Sequence, residues 1–81
     1  MLTNKELEQL FEKIPEVWLV RVEGDGYHYQ LTVVSDVFRS MSALKRQQWV
    51  YAQLKNLILS GTLHALTMKT WTKEEWEKQD G

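Results

Sequence analysis

The residues best suited to chemistry in this chain are two histidines. His64 sits in Gly61-Thr62-Leu63-His64-Ala65-Leu66, where a glycine closes the longest amphipathic segment and an apolar, strand-like run begins. His28 follows the glycine-rich run Gly24-Asp25-Gly26-Tyr27. Imidazole changes charge near neutral pH, and its neutral form binds metals. Side chains at the ends of elements are where functional groups tend to be held. The donor set is incomplete, however. A closed structural zinc site needs four ligands, and the chain has no cysteine. Disulfides, cysteine-based zinc sites and thiol nucleophiles are therefore excluded within it. Iron–sulfur clusters normally use cysteine, although a histidine pair can replace two cysteines on one iron. This chain could hold such a cluster only with thiolates supplied by a partner. The residues alone leave a plain structural role open for both histidines. No Gly-x-Ser-x-Gly elbow and no His-Glu-x-x-His helix is present, so an enzyme is not expected.

The elements that must position these histidines follow from hydrophobic periodicity. Thr3-Asn4-Lys5-Glu6 has capping-box spacing. Leu7, Leu10, Phe11 and Ile14 then recur at helical intervals, and Pro15 stops the run. A first helix is predicted from about Asn4 to Lys13. Val17 to Glu23 reads as a strand, with Trp18, Val20 and Val22 on one face and Leu19 and Arg21 on the other. Gly24-Asp25-Gly26 is a turn. Tyr27 to Ser35 is the return strand, with Tyr29, Leu31 and Val33 opposed to His28, Gln30 and Thr32. Together they predict a β-hairpin.

Phe38 and Met41 should anchor a short connection, and Ser42 should cap a second helix. Its expected apolar stripe is Leu44, Tyr51, Leu54, Leu57 and Ile58, broadened by Val50, with Ser60-Gly61 ending it. Leu63 to Thr70 reads as a third strand. Thr72-Lys73-Glu74-Glu75 repeats the capping-box spacing and opens a last helix to about Lys78. Trp76 is placed to fold back onto the domain.

The order is thus α-β-β-α-β-α. The third strand should lie beside the second and parallel to it through a right-handed crossover. Parallel neighbours start at the same edge, so His28 and His64 should share it. Strict alternation points their side chains to opposite faces.

Length and charge set the remaining bounds. With 81 residues the chain forms one domain, residues 1–81. A domain this small buries only about 60% of its unfolded surface, and here four tryptophans supply large apolar pieces. The net charge of −1 argues against a strong nonspecific grip on nucleic acid. No apolar run approaches the ~20 residues of a membrane span, and the N-terminus lacks a signal-peptide pattern. A soluble cytoplasmic domain without a membrane partner is expected.

Gly24-Asp25-Gly26-Tyr27-His28-Tyr29, Val33-Val34-Ser35-Asp36-Val37-Phe38, Lys45-Arg46-Gln47-Gln48-Trp49-Val50-Tyr51, His64-Ala65-Leu66 and Thr72-Lys73-Glu74-Glu75-Trp76, in this order, resemble the BolA family. The likeness spans nearly the whole chain and is nearest the bacterial branch with Gly-Asp-Gly in the hairpin turn. It implies an α+β fold with a three-stranded mixed sheet and helices on one face, similar to a class II KH domain. It also implies a monothiol glutaredoxin partner and a shared [2Fe-2S] cluster, in iron–sulfur trafficking or iron homeostasis. In such complexes the glutaredoxin cysteine and glutathione bring thiolates, and the BolA-like protein brings histidines. His64 corresponds to the family histidine, and the hairpin-loop ligand corresponds best to His28. The isolated chain is expected to hold no cluster and to be a monomer or weak homodimer. Ligation needs neutral imidazole, so binding should weaken below about pH 6. Relatives often carry glycine where this chain has Ser40. Gly-x-x-Gly, by which KH domains clamp a nucleotide backbone, is absent.

The competing expectation is a nucleic-acid-binding transcriptional regulator. Arg39, Lys45 and Arg46 would contact phosphate, with Tyr or Trp stacking on bases. Against it stands the simpler reading of these charges as a solvated helix face.

Overall fold

The computed structural model describes residues 1–80. Its elements are α1 (Asn4–Glu12), β1 (Val17–Gly24), β2 (His28–Ser35), a 3₁₀ turn (Asp36–Phe38), α2 (Ala43–Gln53), α3 (Lys55–Leu59), β3 (Ala65–Trp71) and α4 (Lys73–Asp80). The sheet order is β1-β2-β3. The β1–β2 pair is antiparallel and the β2–β3 pair is parallel, as the crossover requires.

The first helix starts on a complete capping box. Thr3 Oγ1 accepts from the Glu6 amide, and Glu6 accepts from the Thr3 amide. Leu7 and Phe11 are fully buried against the sheet. They meet Val22, Tyr29, Leu31 and Val33, which share the sheet's inner face. Val50 and Leu54 close the core from the second helical segment, and Leu63 pins the approach to β3.

Three expectations for β1 and the second helix change. Trp18 does not join the core face of β1. The ladder pairs Val17 with Ser35 and Leu19 with Val34, so Trp18 is an extra residue at a bulge. It is 51% exposed, with the Lys73 ammonium 5.0 Å from its ring centroid. The second helix is two segments, tightened at Leu54, whose amide donates to Tyr51 O three residues back. Its inward line is Val50, Leu54 and Leu57, with Arg46 on the same side. Leu44, Tyr51 and Ile58 lie roughly 100° round the helix at 3.6 residues per turn and are exposed. Arg46 can occupy the inward side because its charge is neutralised there, as described below.

The helices α1 to α3 pack on the inner face. The last helix begins at the end of the sheet with a second capping box. Thr72 Oγ1 accepts from the Glu75 amide, and Glu75 accepts from the Thr72 amide. Trp76 lies over the Arg21 guanidinium at 5.3 Å, and Arg21 has outer-face parity, so α4 turns onto the second face and the expectation of helices on one face holds for α1 to α3 alone.

Candidate metal-ligand edge of the sheet

The hairpin turn before β2 is fixed by its own side chains. Gly24 packs so close to the return strand that a Cβ there would overlap the His28 carbonyl oxygen. Gly26 has φ +91°, a left-handed conformation open to glycine. The Asp25 carboxylate accepts from the amides of Tyr27 and His28, both at 2.9 Å. These bonds, His28's first, hold its carboxyl below the usual carboxylate range. The N-terminal segment ties the hairpin from outside. The Tyr29 hydroxyl donates to Leu2 O and, at 3.2 Å, to Gly26 O. Asn4 Nδ2 donates to Gly24 O, and Glu8 Oε2 accepts from the Val22 amide.

His28 therefore opens β2 on a rigid backbone, exposed on the outer face. The approach to His64 is built from the other side. Gly61 takes φ +77° after α3, and the Leu63 amide donates to Leu57 O. Leu63 is buried, and His64 emerges exposed immediately before β3. The parallel register pairs His28 with Ala65. Both histidines thus lie at the same edge, one register step apart, with His64 just ahead of the ladder. What the fold stacks on His64 is Tyr27, with ring centroids 5.5 Å apart and planes 19° from parallel. Tyr27 also meets the His28 ring edge-on at 6.3 Å. No hydrogen bond engages either imidazole among the described residues. No group of three His, Cys, Asp or Glu side chains among them is arranged to hold a metal ion.

The basic residues of the competing reading are placed very differently. Arg46 is only 15% exposed and grips Glu75 through two bonds of 2.8 and 3.2 Å. It also donates to Met41 O and Thr70 O. Arg46 thus ties α2 to β3 and α4, and its fork is consumed inside the protein. Hydrogen bonding from Arg46, and then from the Thr72 amide, pulls the Glu75 carboxyl down to about 2. Arg39 is exposed, 3.6 Å from Asp36 and 3.9 Å from Glu74. Lys45 is exposed. The expected three-cation patch is reduced to two.

Residues 12–75 match the family described as BolA-like protein. This chain belongs to the BolA-like family. It is similar to the acid stress protein IbaG of Escherichia coli K12, with 34% identity over 77 residues, covering 95% of this chain and 92% of that one. The structure of a BolA homologue from Coxiella burnetii superposes with a TM-score of 0.83 at 35% identity, covering 95% and 99%. The solution structure of yeast Fra2 gives 0.72 at 32% identity, covering 94% and 85%.

For this BolA-like protein, sequence reasoning found both edge histidines and missed two contacts, that of Tyr27 with His64 and that of Glu75 with Arg46. Tyr27 was one residue from His28, but only the parallel register shows that it stands level with His64. Glu75 was legible as a cap. Its pairing with the largely buried Arg46 of α2 carried no local signal. No helix among the described residues is long and apolar enough to cross a membrane.

Proposed function

We propose that this BolA-like chain is a non-catalytic adaptor that binds a monothiol glutaredoxin and shares its [2Fe-2S] cluster. His64 is the principal ligand and His28 the second. The observation that carries the proposal is the state of His64, an exposed imidazole with no hydrogen bond among the described residues, at the sheet edge where β2 also begins. The donor set fits a shared site and not a self-contained one. Two imidazoles without a thiolate or a convergent carboxylate cannot close a coordination shell, but they can complete one that a partner has half built. The glutaredoxin cysteine and glutathione would bring the thiolates and the cluster would supply the iron. This chain would contribute imidazole nitrogen on a backbone held by Asp25 and Leu63. The family membership agrees with this reading.

The test is a titration of the protein into cluster-loaded monothiol glutaredoxin, followed by visible absorption and circular dichroism. His64→Ala should abolish the mixed-complex spectrum, and His28→Ala should weaken it. An unchanged spectrum and affinity with His64→Ala would refute the ligand assignment. The nucleic-acid reading loses support because Arg46 is committed to Glu75.

A further inference from the structure

We infer that Tyr27 is a positioning residue for His64, its ring fixing the plane in which the imidazole is presented. The inference rests on the ligand reading above and adds a residue to it. A metal-binding histidine is ordinarily oriented by a hydrogen bond from its second ring nitrogen to a carboxylate or carbonyl. His64 has no such bond among the described residues. It lies outside the ladder, behind the exposed Gly61 and Thr62. The side chain that restrains it is Tyr27, stacked at 5.5 Å and 19°.

Three features make this contact a built one. The parallel ladder opens at the pair His28 and Ala65, so Tyr27 and His64 are the residues immediately ahead of it on neighbouring strands, where their rings meet. The Tyr27 amide is held by Asp25, in a turn shaped by Gly24 and Gly26. Tyr27 itself is 67% exposed, so the ring adds little to the core. The phenol oxygen makes no hydrogen bond among the described residues, so the ring face is the working part. Losing an aromatic stack of this kind corresponds to about a three- to tenfold change in an equilibrium that depends on the ordered ring.

The test compares Tyr27→Leu, Tyr27→Phe and His64→Ala with the unaltered protein. In the free protein, proton NMR should show the His64 ring protons shifted upfield by the stacked ring. The shift should persist in Tyr27→Phe and vanish in Tyr27→Leu, with thermal unfolding unchanged. In titrations against cluster-loaded monothiol glutaredoxin, Tyr27→Leu should bind about three- to tenfold more weakly with an altered visible dichroism, and Tyr27→Phe should match the unaltered protein. If His64→Ala destroys the complex but Tyr27→Leu leaves affinity and dichroism intact, the positioning role is overturned and the ligand reading stands. If His64→Ala changes nothing, the ligand reading fails and takes this role with it. Absence of the upfield shift in the unaltered protein refutes the stack without reference to any partner.

Discussion

Replacing Glu75 by glutamine should remove the charge that neutralises Arg46 while keeping the shape of the side chain. The two oxygens of Glu75 serve three donors, the forked guanidinium of Arg46 and the Thr72 amide. The carboxyl is drawn from an ordinary 4.5 down to about 2, first by Arg46 and then by Thr72. At 1.36 kcal/mol per pH unit that displacement has a ceiling of about 3 kcal/mol. Glu75 is 43% exposed, so solvent screening reduces the figure to about 1–2 kcal/mol. The sign follows from the depressed value. The stabilisation is fully present above pH 4.5 and is lost as pH falls through about 2. Urea titrations at pH 7 should therefore show Glu75→Gln less stable by about 1–2 kcal/mol with an unchanged slope. The gap between the two proteins should narrow steadily from pH 4.5 towards pH 3. A gap below about 0.5 kcal/mol at pH 7, or one that stays constant down to pH 3, would refute the reasoning.

Three further outcomes test the local geometry. Ser40 sits at φ +69°, a conformation that costs an L-residue roughly 1–2 kcal/mol. Ser40→Gly should raise stability by about 0.5–1 kcal/mol in urea once the added freedom of the unfolded chain is subtracted. Gly24→Ala should destabilise by about 2 kcal/mol or more, because the new methyl meets a backbone oxygen that cannot step aside. Asp25→Ala should speed hydrogen exchange at the amides of Tyr27 and His28 while α1 keeps its protection, since those two amides lose their acceptor.

Much of the architecture was written in local patterns. Pro15, the Gly24–Gly26 turn, Ser42 and Gly61 each mark a boundary through a backbone preference that needs no tertiary partner. Strand parity correctly separated Tyr29, Leu31 and Val33 from His28, Gln30 and Thr32. The departures all arose where a distant residue decided the outcome. Trp18 leaves the core because one unmatched residue interrupts the pairing with β2. The apolar line Leu44-Tyr51-Ile58 looked inward-facing only while Arg46 was taken to need solvent. Once Glu75 neutralises it, the helix can turn the arginine side towards the sheet. At the edge, the chain order correctly brought the two histidines to the starts of neighbouring strands. The sequence could not show that Tyr27 would cover His64, because that depends on the stagger between two strands joined through α2 and α3.

The stitching of the N-terminal segment to the hairpin has a practical consequence for anyone handling this protein. Leu2 O takes the Tyr29 hydroxyl, Asn4 holds Gly24 O, and the Met1 side chain lies where a side chain on Gly26 would have to go. An affinity handle or fluorophore fused ahead of Met1 would emerge beside the histidine edge and crowd any partner docking there. A handle after α4 leaves from an element joined to the far end of β3. Partner-capture and binding measurements should therefore depend on which terminus carries the fusion, and a negative result from an N-terminal fusion would report the tag before the protein.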